Sequence, residues 1–275
     1  MDRGTLVERG WCFGACFTQE TASVLCANTG YTLSEGQVFI AVTHDCSVIQ
    51  PSLQHEPHLE WLLAKPIENG HGHFRYARNI RRLHLEIEVE GYLRWFEVGM
   101  ALRGFASREG LDGCSSDKRY SIDGDNLNIL KRWLGNRYTT QTFPDDFNDR
   151  IKPLIEGSSA PLIKMFNTAP GEACRSLYLT LNPFDRGVED GENYELTVAA
   201  LFRDEVAMDI GRELMDQFAA NIEALLRDVK GFGDVTVLAF AESDLSHAQV
   251  LKMARWQLDY VSLADGDEVV VADQS

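Results

Sequence analysis

No stretch of this chain holds the roughly 18 consecutive apolar residues that a membrane-crossing helix needs. Met1-Asp2-Arg3-Gly4 lacks the apolar centre of a secretory leader, so no membrane partner is expected and the expected location is the cytoplasm. Cysteine is sparse: six in 275 residues, at 12, 16, 26, 46, 114 and 174. A cytosolic chain of this size is expected to keep them reduced, not paired in a disulfide framework. There is no internal repeat and no low-complexity tract, which argues against solenoids and disordered linkers. The P-loop, the Rossmann glycine pattern after a strand, Gly-x-Ser-x-Gly and His-Glu-x-x-His are all missing. Basic residues are also short, 26 against 42 acidic, for a net charge of −16.

That deficit is uneven. Residues 1–155 hold 17 basic and 20 acidic side chains, whereas residues 156–275 hold 9 and 22. The second half repels a phosphate backbone and suits solubility or docking on a basic protein partner. The first half remains open to nucleic acid.

What is present describes a globular α+β chain, 44% hydrophobic and 25% charged. Residues 5–49 read mostly as strands and turns, with Ala22–Ala27 as a short apolar segment. Residues 50–58 form a Pro- and His-bearing loop, and residues 59–67 a strand stopped near Pro66. Leu83, Leu85, Ile87 and Val89 alternate with polar residues, which predicts a half-buried strand. Glu90-Gly91 turns it into a hairpin partner, Tyr92–Val98. Helices are predicted near 125–136 and 144–156, and a break at 157–161 coincides with the charge shift. We therefore expect a β-rich domain over 1–156, ending in those two helices, and an acidic α/β sandwich over 157–275. The N-terminal sheet is expected to be antiparallel and twisted or barrel-like, with the helices as a bridge. The second domain reads ββαβα: strands at 176–181 and 193–202, a long helix over 206–229, a strand at 234–240 and a helix carrying Val250, Met253 and Trp256. Glu268–Val271 is a candidate edge strand.

Val38–Ile49 is the stretch that organises the first half. An apolar run ends in Thr43-His44-Asp45-Cys46 and then resumes. A strand that delivers a base, an acid and a nucleophile to its end is a candidate catalytic site. If the strand continues, His44 and Cys46 share one face, and Thr43 and Asp45 the other. The same pattern also describes a polar strand end. Cys12-x3-Cys16, with Cys26, has spacing that a structural zinc tolerates, but unligated buried cysteines are the commoner outcome and no cofactor is expected. The one strongly basic stretch runs from His71 to His84. Its Arg75, Arg78, Arg81 and Arg82 can hold phosphate, and Phe74 and Tyr76 can stack on unpaired bases. The competing reading is a solvated loop paired with nearby glutamates.

In order and pattern, residues 36–112 resemble the small barrel of MazF/PemK-type endoribonuclease toxins. The resemblance rests on Ile40-Ala41-Val42-Thr43, Lys65-Pro66-Ile67, the alternating Leu83–Val89 and the basic-ended Val98–Arg103. It covers about a quarter of the chain. Those toxins carry an Arg-Pro pair before the first of these strands, where this chain has Ser34-Glu35-Gly36-Gln37, so only Thr43 transfers as a site residue. The resemblance implies an RNA-cleaving or nucleic-acid-binding ancestry of bacterial or phage type. The leading expectation is a cytosolic nucleic-acid-processing or nucleic-acid-binding protein, leaning to a nuclease-like hydrolase. In it, His44 is the base, Thr43, Asp45 and Cys46 are its neighbours, and the arginines with Tyr76 hold the strand. Two readings compete: a non-catalytic acidic protein that docks on or inhibits a basic partner, and a thiol-dependent enzyme using Cys46.

Overall fold

The computed structural model describes residues 2–25, 32–139, 141–157 and 159–258. Cys26 and the candidate strand at Glu268–Val271 lie outside them. The chain divides into two units, residues 1–139 and 140–275.

The first unit contains α1 (Arg3–Glu8), β1 (Cys16–Phe17), α2 (Gln19–Leu25), β2 (Val38–Ala41), α3 (Asp45–Val48), β3 (His58–Ile67), β4 (Arg82–Val89), β5 (Tyr92–Ser107), β6 (Tyr120–Ser121) and α4 (Gly124–Thr139). Its six strands run in the order β1-β2-β3-β5-β4-β6, every pair antiparallel. The two outer strands approach each other, and Asp117, just before β6, donates its N–H to the Cys16 carbonyl of β1 at 2.8 Å. The sheet is therefore a nearly closed barrel. The alternation of β4 holds: Leu83, Leu85 and Ile87 face inward with Val38, Ile40, Leu62, Phe96 and Val98. α4, whose first turn Asp123 caps by accepting from Asn126 N–H at 2.9 Å, lays Ile129, Leu130 and Trp133 on that core. The β4–β5 hairpin turns through Glu90 (φ 54°) and Gly91 (φ 88°), the left-handed pair a two-residue turn requires.

β2 is buried on both faces. Val38 and Ile40 enter the barrel, while Phe39 and Ala41 join Leu6, Trp11, Phe17, Trp61, Leu63 and Val48 in a second cluster outside it. Helices cover that outer cluster, which corrects the strand-and-turn reading of residues 5–49. α1 is capped by Asp2, which accepts from Thr5 N–H at 2.8 Å, and α2 takes the predicted segment Ala22–Leu25. These helices are short, and tertiary packing rather than propensity sustains them.

The second unit contains α5 (Asp145–Ile155), α6 (Pro161–Met165), α7 (Ala169–Ala173), β7 (Cys174–Asn182), β8 (Tyr194–Phe202), α8 (Asp204–Arg227), β9 (Phe232–Ala241), α9 (His247–Val250) and β10 (Ala254–Trp256). The break that the charge shift predicts at 156/157 falls after α5. Phe147 of α5 stacks at 5.6 Å on Phe232, and Ile151 and Ile155 share the core of this unit. The strand order is β10-β7-β8-β9. β7 pairs antiparallel with β8 and β10, whereas β8 and β9 are parallel and joined through α8. Met215, Phe218, Ile222 and Leu226 of α8 belong to the same core as the sheet. The helix is not continuous as its apolar period predicts: Gly211 stands at φ 75°, ψ 157° and breaks it. The predicted helix through Trp256 starts from a capping box of Ser246 and Gln249 and already ends at Val250. Ala254–Trp256 then adds a strand to β7, and Trp256 is buried opposite Leu177. The outer edge of β9 is covered by its own helix. Glu223 accepts from Val237 N–H at 2.8 Å, and Arg227 donates to the Val235 carbonyl at 3.0 Å. That blocks edge-to-edge pairing.

Candidate functional site

The four candidate catalytic residues do not continue a strand. The chain leaves β2 at Ala41, and residues 45–48 form one helical turn. The face-sharing expected for His44 with Cys46 is therefore lost. Thr43 Oγ1 accepts from Glu60 N–H at 2.6 Å, and Asp45 Oδ1 accepts from Phe13 N–H at 2.7 Å. His44 is the N-cap of α3, and its Nδ1 accepts from Cys46 N–H at 3.2 Å. Three of the four side chains thus bond backbone, which is local capping and loop stitching. Cys46 is an exposed free thiol. Burial pushes the Cys16 thiol up to about 12, because the thiolate cannot be solvated in the barrel. Among the described residues, no group of His, Cys, Asp and Glu is arranged to hold a metal ion.

The basic stretch builds a defined surface. Side chains alternate on β4 and β5, so His84 and Glu86 share the outer face with Glu97 and Trp95, their cross-strand partners. Residues 70–81 fold against this face. Gly70 packs on Trp95 so closely that a Cβ would fall 2.5 Å from the indole. Tyr76 (φ 56°) and Ala77 (φ 59°) are successive non-glycine residues in the left-handed region, a strained pair. α4 holds the loop in place: Trp133 Nε1 donates to the Asn79 carbonyl at 2.8 Å, and Asn136 donates to the Ala77 carbonyl at 3.5 Å. Asn79 Oδ1 accepts from the N–H groups of both Arg81 and Arg82 at 2.9 Å.

On this frame the arginines part company. Arg78 is buried, 3% exposed, and its guanidinium donates to the Gly72 carbonyl beneath the loop. The sequence placed Arg78 in the nucleic-acid-binding set; in the structure its guanidinium is turned inward and holds the loop. Arg75 lies 4.9 Å from the Trp95 ring centre and 5.1 Å from that of Tyr76. Arg82 lies 4.2 Å from the Phe74 ring centre, and its Nε donates to Glu97 at 2.8 Å. Arg81, Phe74, Tyr76 and Trp95 are partly exposed.

The acid–base groups beneath are already committed. His84 Nδ1 accepts from His71 N–H at 3.0 Å, so its Nε2 carries the proton it shares with Glu97 at 2.9 Å. Burial alone would raise the Glu97 carboxyl, but hydrogen bonds from His84 and Arg82 outweigh it and hold the group at about 2. His73 is pushed down to about 4, first by burial and then by the charge of Arg78 and Arg82. What this face presents to solvent is arginine and aromatic side chain. Trp95 and Glu97 escaped the basic-run signal because they lie on the next strand. The period-2 pattern around Phe96 and Val98 would have found them.

The structure thus defines a barrel-like β unit with an arginine–aromatic outer face. Among the described residues no helix is long and apolar enough to cross a membrane. Compared with known proteins, the chain matches no family model, no curated protein and no solved structure.

Proposed function

We propose that the first unit binds single-stranded nucleic acid on the outer face of β4 and β5. The observation that carries this reading is the pairing of guanidinium and partly open ring, twice, where the 70–81 loop lies on the β4–β5 face: Arg75 with Trp95 and Tyr76, and Arg82 with Phe74. Aromatic rings on such a face take unpaired bases, each worth about 1–3 kcal/mol, and adjacent arginines take the phosphates between them. A duplex hides its base faces and gains only the charge term. The nearly closed barrel is compatible with kinship to MazF-type toxins, for which RNA is the ligand. The bonds that occupy Thr43, His44 and Asp45 favour binding over cleavage.

Fluorescence anisotropy of labelled oligo(U), oligo(dT) and a short duplex across a salt series tests this. The single strands are expected to bind more tightly than the duplex. Their affinity should fall linearly with salt on a log–log plot. Arg81→Ala/Arg82→Ala is expected to flatten that slope by about 1.4 units, roughly 0.7 per lost contact on a single strand. Absence of binding at low salt would remove the proposal.

A further inference from the structure

Arg75 stands where a base would stack. Its guanidinium covers the rings of both Trp95 and Tyr76, and it donates to Tyr76 Oη at 3.2 Å. The Gly70 backbone is packed against the indole, and this guanidinium lies over its ring. Backbone held by its loop cannot retreat, but a guanidinium on a rotatable stem can. A guanidinium is planar and weakly hydrated, so it stacks on a ring as a base does. Its hold on a partly exposed ring is weaker than that of a stacked base.

Resting on the nucleic-acid reading above, we infer that Trp95 and Tyr76 form a slot for one unpaired nucleobase and that Arg75 is its plug. An entering base displaces the guanidinium, which then turns to the adjacent phosphate. The ligand class is a nucleotide within a flexible single strand, and neither a duplex nor a free inorganic phosphate can open the slot.

The plug makes Arg75 behave differently from an ordinary phosphate contact. Adenosine, which has a base and no phosphate, serves as the first probe, and oligo(U) and oligo(dT) as the second. Arg75→Ala is expected to raise adenosine affinity about threefold, because the competing stack is gone. The same variant should flatten the oligonucleotide salt slope by about 0.7 units. Arg75→Lys keeps the charge but not the planar stack, so it should raise adenosine affinity while leaving the slope unchanged. Circular dichroism confirms that each variant is folded. If adenosine affinity is unchanged or lower in both variants while wild type binds the oligonucleotides, the plug is overturned and the nucleic-acid reading stands. If wild type binds neither probe, both fall. RNA and DNA arms that respond alike support a slot that reads the base and not the sugar. A response to Arg75→Lys in the salt slope alone also overturns the plug.

Discussion

Arg108→Ala is expected to destabilise the first unit by about 3–5 kcal/mol, the sum of unpartnered carbonyls and lost packing. Arg108, the residue after β5, is fully buried. Its guanidinium donates to the Val48 carbonyl at 2.7 Å and to the carbonyls of Gln50 and Glu56. Its backbone N–H donates to the Pro57 carbonyl at 2.9 Å. One side chain therefore satisfies the end of α3 and both ends of the loop that follows. Alanine leaves three carbonyls without a partner, each costing about 1–3 kcal/mol where water cannot reach it, and it opens a void of side-chain size. Lysine restores the charge but cannot span three acceptors as the planar fork does, so Arg108→Lys should recover only part of the loss. Urea midpoints of the full chain measure this. A loss below about 1 kcal/mol would mean that water reaches those carbonyls and the loop does not depend on Arg108.

Acid is expected to loosen the same unit in two steps. His73, 7% exposed, titrates near 4 in the folded chain against an ordinary 6.5. Above pH 6.5 both folded and unfolded states carry it neutral and it adds no pH dependence. Between 6.5 and 4 the unfolded chain takes up a proton that the folded chain refuses, so stability falls by up to about 3 kcal/mol. Glu97 acts below that. Its folded value of about 2 lies under the ordinary 4.5, so the stability it contributes is present above 4.5 and is lost as pH falls towards 2. Its side chain is 23% exposed, and solvent screening reduces this second step to about 1–2 kcal/mol. Urea unfolding of wild type and His73→Gln between pH 7.5 and 4 isolates the first step, because the other histidines and the carboxylates are common to both. Wild type should lose stability more steeply below pH 6.5, by one proton's slope. Parallel curves would show that His73 is not held neutral in the fold.

The barrel was legible where periodicity is local. Leu83 to Val89, the Glu90-Gly91 turn and the apolar side of α4 each carry their own pattern. Burial of β2 on both faces was not legible, because the unbroken apolar run Val38–Val42 gives no period and its outer cover comes from helices elsewhere in the sequence. The polar end of that stretch suggested convergent chemistry because Thr, His, Asp and Cys adjoin. The same residue types cap helices and bond loops, and here Thr43, His44 and Asp45 do so. The basic run could not separate Arg78 from Arg82, since the loop backbone, left-handed at Tyr76 and Ala77, sets which guanidinium faces inward. Arg108 carried no local signal, because its carbonyl partners lie more than fifty residues before it. In the second unit, Gly211 and the strand at Ala254–Trp256 were decided by backbone geometry and pairing that the helical period hides.

Tryptophan fluorescence tests the proposed surface most directly. Of the five tryptophans, Trp11, Trp61, Trp133 and Trp256 are buried, and Trp95 is partly exposed beside Arg75. A base stacked on Trp95 quenches the one indole that solvent reaches. Titrating oligo(U) into wild type at low salt should quench emission along the same curve as anisotropy. In Trp95→Phe that quench should vanish, and affinity should drop by roughly tenfold for one weakened stack. Binding that leaves wild-type emission unchanged, or a quench that survives in Trp95→Phe, would place the nucleic acid elsewhere and contradict the account.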